Sequence, residues 1–348
     1  MAGSHNKVVA PKPPLPWTVR LKLVLLLPIL YRRDSILRRL LVSFMDLQQV
    51  PAAPHHPDVR SADVTIDASR GLWARVFSPS PSAADDSSSS SPPLPVVVYF
   101  HGGGFVFNSA ASRPYDALCR RLCSSLTAVV VSVDYRRAPQ HRFPAAYDDA
   151  LAALRYLDDD VNNATVLSDL VVGPLRVDLS SCFLAGDSSG GNIVHHVAQR
   201  WASTSSSSRL RVAGAVLIQP FFGGEERTGS ELALDRACRS LSLEATDYYW
   251  REFLPVGATR DHAAARVCGD GVELAPGFPP AMVVVGGFDL LKDWQARYVE
   301  TLRDKGKKVR VVEYPDAVHG FYMFPELADS GKLMEEVKLF VDEHRSKH

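Results

Sequence analysis

The chain has 348 residues, and its 39 Lys and Arg balance 39 Asp and Glu, so it is formally uncharged at neutral pH. With 46% hydrophobic and 22% charged residues it has the make-up of an ordinary globular protein, long enough for two average domains or one large α/β domain. No basic excess or stripe points to nucleic acid, and five scattered cysteines (Cys119, Cys123, Cys182, Cys238, Cys268) without ligand spacing argue against a disulfide framework or a zinc site.

In chain order, the first strong signal is the apolar run Leu23 to Tyr31, interrupted by Pro28 and stopped at Arg32-Arg33-Asp34. Spanning a bilayer takes about 17–25 apolar residues, so no stable membrane insertion is expected. No small-residue cleavage site follows the run, and Ala2 stands where myristoylation needs glycine. Ser35 can cap a second helix whose Ile36, Leu37, Leu40, Leu41, Phe44 and Met45 recur at spacings of three and four. Residues 1–60 therefore read as a helical arm lying on the rest of the protein, and residues 61–348 as one α/β domain.

Within that domain, Ala62 to Asp67 and Leu72 to Phe77 alternate like an antiparallel strand pair. Residues 79–95 (PSPSAADDSSSSSPPLP) form a low-complexity surface loop. Apolar strands then alternate with helical segments. The predicted strands are Val96 to Phe100, Ala128 to Val133, Cys182 to Ala185, Val212 to Gln219, Met282 to Val285 and Val309 to Tyr314. The predicted helices are Tyr115 to Leu126, Ala146 to Leu157, Asn192 to Trp201, Trp294 to Asp304 and Lys332 to Glu343. Continuous apolar strands separated by helices imply a mostly parallel sheet covered on both faces. Residues 221–280 break the alternation and read as a helical cap insertion.

The sharpest chemical signal is Gly186-Asp187-Ser188-Ser189-Gly190, a G-x-S-x-G between a buried strand and a helix. A strained strand-to-helix turn needs small flanking residues and lifts the Ser188 hydroxyl clear of the sheet. His101-Gly102-Gly103-Gly104 follows directly on another buried strand, and such an HGGG segment is an oxyanion-hole loop in lipases and esterases. Two of its N–H groups, with that of Ser189, would hold an oxyanion. A serine nucleophile also requires a base held by a carboxylate, in the chain order Ser, Asp, His. Asp289 ends one predicted strand and His319 lies on the loop after the last one, which puts both at the Ser188 edge of the sheet. His195 and His196 sit inside the helix behind Ser188 and read as packing residues; Asp293 reads as the start of the next helix.

HGGGF, DYRRAPQHRFPAAYDD (134–149), GDSSGGN, QPFFGGEERTGSE (219–231), GGFDLLKD and VHGFY resemble the plant carboxylesterase branch of the hormone-sensitive-lipase family, a branch that also contains gibberellin receptors and some dehydratases. The resemblance implies an α/β-hydrolase fold, a Ser188–His319–Asp289 triad, and an oxyanion hole at Gly102, Gly103 and Ser189 with Gly104 supporting the loop. It also makes the arm a lid over an apolar pocket lined by Phe105, Phe107, Tyr135, Asp187, Phe321 and Tyr322. Gibberellin receptors replace the histidine and carry HGGS, whereas this chain has His319 and Gly104. Arg137 departs from the branch, which has an apolar residue there. The expected protein is a serine carboxylesterase acting on small esters, cytoplasmic or nuclear, with neither metal nor organic cofactor. A hormone receptor and a dehydratase are the alternatives.

Overall fold

This computed structural model describes residues 13–30, 49–80, 92–159, 175–204, 208–235 and 240–346. The valine-rich runs become strands because β-branched side chains pack well on a pleated, buried surface. The strands are β1 (Val59–Asp67), β2 (Leu72–Pro79), β3 (Leu94–Phe100), β4 (Val129–Asp134), β5 (Val177–Asp187), β6 (Val212–Ile218), β7 (Ala281–Phe288) and β8 (Val309–Val318). They form one sheet in the order β1-β2-β4-β3-β5-β6-β7-β8. Strand β2 runs antiparallel to both of its neighbours, β1 and β4; from β4 across the sheet to β8 all pairing is parallel.

Alternate residues of each strand serve opposite faces. Val97 and Tyr99 of β3 pack with helices α2 (Arg113–Leu126) and α8 (Ala328–His344), through Leu118, Leu122, Val337 and Phe340. Val96, Val98 and Phe100 face the other layer, formed by α3 (Ala145–Asp158), α4 (Ser189–Trp201) and α7 (Lys292–Asp304), with Leu154, Ile193, Val197 and Leu302 among the contacts. This two-sided burial explains why the central strands read as unbroken apolar runs.

The elements agree with the sequence reading in kind and order, and they lengthen it at several ends. Strand β8 runs on to Val318, past the Tyr314 boundary, because Val318 still pairs with Phe288 of β7. Residues 221–280 carry two helices, α5 (Gly229–Leu234) and α6 (Leu243–Phe253), and no strand among the described residues. The first is closed by a capping box, with Thr228 Oγ1 accepting from Glu231 N and the Glu231 carboxylate accepting from Thr228 N.

The arm begins as helix α1 (Trp17–Leu30), whose buried Val19 and Leu23 pack on Phe324 and Leu327. Lys22 pairs with Glu326 beside them. The second arm helix expected after Ser35 lies outside the described residues, as does Cys238. No helix among the described residues is long and apolar enough to cross a membrane.

Candidate active site

Strand β5 ends at Asp187 and α4 begins at Ser189, so the whole turn is carried by Ser188 at φ 51° and ψ −117°. A non-glycine residue in that region stores of order 1–3 kcal/mol of strain and persists only where its surroundings hold it. Here Ser188 N donates to Ile218 O at 2.9 Å, and Ser188 O accepts from Phe221 N at 2.8 Å and Asn192 N at 3.1 Å. The turn is also tight against β3. A Cβ on Gly190 would stand 1.9 Å from Phe100 O, so no side chain fits there.

Three side chains meet at the C-terminal edge of the sheet. His319, the residue after β8, places Nε2 3.1 Å from Ser188 Oγ and Nδ1 2.9 Å from Asp289 Oδ2. Asp289, just beyond β7, is fully buried. Its Oδ1 accepts from Leu291 N at 3.0 Å and its Oδ2 also accepts from Gln295 Nε2 at 3.0 Å. A carboxylate can only accept, so the imidazole donates through Nδ1–H and leaves Nε2 free to receive the serine proton. Burial pulls the His319 pKa down, but the Asp289 charge and hydrogen bond outweigh it, with help from Asp187. The net direction is upward. The chain Ser–His–Asp can deprotonate Ser188 and stabilise the imidazolium that results.

Strand β3 delivers the glycine loop to the same edge, and one expectation about it needs correcting. Gly102 N–H does not face the site; it donates to Asp187 Oδ1 and Tyr115 Oη, both at 2.9 Å. Gly102 is thus an anchor whose N–H is already engaged, and Gly103 and Gly104 follow it on the loop. Both have positive φ, +119° and +60°. The Ser189 N–H, first in its helix, has no intrahelical acceptor. The loop is held further along, where the Arg137 guanidinium donates to Asn108 O.

Asp187 is likewise no pocket residue. Its buried carboxylate accepts from Tyr99 Oη at 2.7 Å, Tyr115 Oη at 2.9 Å and Tyr322 Oη at 2.8 Å, besides Gly102 N. Burial pushes its pKa up while the three hydroxyls pull it back, and the net direction is upward. Glycine loop, serine turn and histidine loop are thereby tied to one group.

The other residues expected to line a pocket are enclosed too. Phe105 stacks on Phe253 at 3.6 Å and packs against Trp250 and Phe221, in the core. Tyr135 stacks on His101 at 4.3 Å and donates to His101 O. Phe321 lies between Tyr314 and Tyr322, and Phe107 packs on Tyr249 of α6. Burial holds His101 neutral, with its pKa lowered to about 4.

His195 and His196 are packing residues: the first contacts Tyr298 Oη at 2.9 Å and the second stacks on Tyr147 at 4.5 Å. Asp293 opens α7 and accepts from Ser230 N. The sequence reading missed Tyr99, Tyr115, Gln219 and Gln295. Gln219 stood inside a quoted motif, but nothing in its spacing marked a role.

The family profile for the α/β-hydrolase fold matches residues 97–323. The chain is 40% identical to the gibberellin receptor GID1C of Arabidopsis thaliana, across 98% of this chain and 99% of that one. It is 34% identical to 3-O-acetylpapaveroxine carboxylesterase CXE2 of Papaver somniferum, across 84% and 92%. Among solved structures, the hyperthermophilic esterase of Pyrobaculum calidifontis superposes with a TM-score of 0.72 at 28% identity, covering 95% of this chain and 98% of that one. With its doubly covered sheet and its serine turn, the chain belongs to the α/β-hydrolase family, in the hormone-sensitive-lipase branch of plant carboxylesterases and gibberellin receptors.

Proposed function

We propose that the protein is a serine carboxylesterase of small carboxylic esters. The observation that carries this reading is the His319 ring, hydrogen-bonded to Ser188 on one side and to Asp289 on the other. Ser188 Oγ attacks the ester carbonyl as His319 Nε2 takes its proton. The tetrahedral oxyanion sits among the N–H groups of Gly103, Gly104 and Ser189, where each donor typically contributes about 3 kcal/mol. His319 passes the proton to the departing alkoxide, leaving an acyl group on Ser188. Water then repeats the cycle and releases the acid. The carboxylesterase relatives support the same chemistry.

The arm, residues 1–60, acts in this reading as a lid. Helix α1 rests on Phe324 and Leu327, on the segment that links the base His319 to α8. A cytoplasmic or nuclear location suits such a protein.

Hormone binding is the second reading, and the 40% identity to a gibberellin receptor over nearly the whole chain favours it. One experiment separates the two: turnover of short- and medium-acyl esters by wild type and Ser188→Ala, with gibberellin binding measured calorimetrically on the same preparation. The expected result is hydrolysis, lost by orders of magnitude in Ser188→Ala, with an organophosphate labelling Ser188. Saturable gibberellin binding with no ester turned over would replace the enzyme with the receptor.

A further inference from the structure

We propose that Gln219 is a positioning residue that sets His319 by clamping the backbone on both sides of it; the catalytic part of this inference rests on the esterase reading. Gln219 follows β6 and is fully buried. Its Nε2 donates to Val318 O at 3.2 Å and its Oε1 accepts from Gly320 N at 2.8 Å. One amide therefore engages the carbonyl just before His319 and the N–H just after it. Two opposed hydrogen bonds fix both the height of the loop and its rotation about the chain, and hence the direction in which the imidazole leaves the backbone.

The route of this side chain shows how specific the arrangement is. Strand β7 lies between β6 and β8, so the Gln219 amide must cross it to reach the end of β8. It crosses at Gly286, where a Cβ would stand 2.4 Å from Gln219 Nε2. The backbone accommodates it as well, with Gln219 at φ 44° and its N–H donating to Val284 O at 3.0 Å. A positive φ on a non-glycine residue and a missing side chain on the next strand both serve the same crossing.

Among the described residues, the two imidazole nitrogens are hydrogen-bonded to Ser188 and Asp289. Those contacts orient the ring once the loop is in place; Gln219 places the loop. Misplacing a reacting group by about 1 Å can cost about a hundredfold in rate, and an amide that never meets substrate would act on kcat and leave KM alone.

The test compares the full-length wild type with Gln219→Leu, with Gln219→Met (whose flexible thioether fills a similar volume), and with Gly286→Ala, which leaves Gln219 in place but denies its amide room. A p-nitrophenyl short-acyl ester serves as the probe for kcat and KM. Proton NMR follows the His319 Nδ1–H signal, assigned by its disappearance in His319→Ala, and thermal unfolding is recorded for each variant. Expected is a fall in kcat of roughly 10- to 100-fold in all three, with KM within about twofold of wild type and a weakened or shifted Nδ1–H signal in proteins that still unfold cooperatively. A kcat within about twofold of wild type and an unchanged Nδ1–H signal in Gln219→Leu and Gln219→Met would overturn the proposal. If the wild type neither hydrolyses the ester nor accepts an organophosphate at Ser188, the esterase reading fails on its own. The Nδ1–H comparison then still decides whether Gln219 holds His319.

Discussion

Removing the Asp187 carboxylate tests the idea that one buried group braces the whole site. In Asp187→Ala, the hydroxyls of Tyr99, Tyr115 and Tyr322 lose their acceptor, while Gly102 N–H keeps only Tyr115 Oη. A buried donor left unmade costs about 1–3 kcal/mol, so three amount to roughly 3–9 kcal/mol before any offset. The offset is real: a fully buried charge carries a desolvation cost of several kcal/mol, and the raised Asp187 pKa shows that cost acting here. A net loss of about 3 kcal/mol remains. At about 2.1 cal/mol/K of unfolding entropy per residue, a 348-residue chain loses about 4 °C of melting temperature. Asp187→Asn keeps the shape and one acceptor oxygen, and the hydroxyls on its other side can turn to accept. It forfeits only the charge assistance, roughly half of each bond, and is relieved of the buried charge, so about 1 kcal/mol and 1–2 °C are expected. Activity should fall further than stability in the alanine variant. A freed Gly102 lets the Gly103 and Gly104 donors drift, and losing one such donor costs about 10²–10³ in kcat. Thermal unfolding and ester kinetics on both variants read the two effects separately. Asp187→Ala melting within about 1 °C of wild type with native kcat would refute the bracing argument.

Three further outcomes follow from the same geometry. In the esterase reading neutral His319 is the base and its pKa is raised, so activity should fall on acidification with a midpoint above the 6.5 of a free imidazole, and Asp289→Asn should lower that midpoint; a wild-type midpoint below 6.5 in kcat/KM would count against the assigned contact. His101 is fully buried and His196 half-buried, and desolvation lowers their pKa values to about 4 and about 3. Between those values and 6.5 the unfolded chain binds more protons than the folded one, so melting temperature should drop as pH falls from about 6.5 towards 4, less steeply in His196→Phe; equal slopes would contradict the assignment. Val19→Asp sets a charge between α1 and Phe324, and should free the arm and change the acyl-length preference while leaving turnover of the shortest ester within a few-fold. An unchanged preference would remove the lid.

The order and kind of the elements were legible because burial on both faces leaves an unmistakable apolar run, as at Val96 to Phe100 and Val129 to Val133. Ends were harder to read. Pro315 and Asp316 look like a strand stop, yet the partner strand β7 carries the pairing past them through a register shift near Gly286. A local pattern holds no information about a shift whose cause lies in the neighbouring strand. Ser188, Asp289 and His319 were legible for a different reason: each stands at a strand end, and their chain order follows from the topology.

The supporting groups were not legible, and their chemistry explains why. Gly102, Gly103 and Gly104 are alike as letters, and only the tyrosines and Asp187 around Gly102 show that its N–H is already committed. Gln219 and Gln295 act through amides that any buried glutamine possesses; what distinguishes them is the backbone or carboxylate each happens to reach. The same distinction bears on enzyme against receptor. An identity of 40% over nearly the whole chain speaks for a shared fold, whereas turnover depends on a few positions, and the family resemblance sets receptors apart at His319 and Gly104. Gly104 is not a free choice. Its φ is +60°, and a Cβ there would stand 2.3 Å from the Tyr249 ring, so a serine in the loop requires α6 to give way as well. The loop glycine and the ring above it are packed against each other, and with the base in the last loop they are the features on which the proposed esterase reading rests.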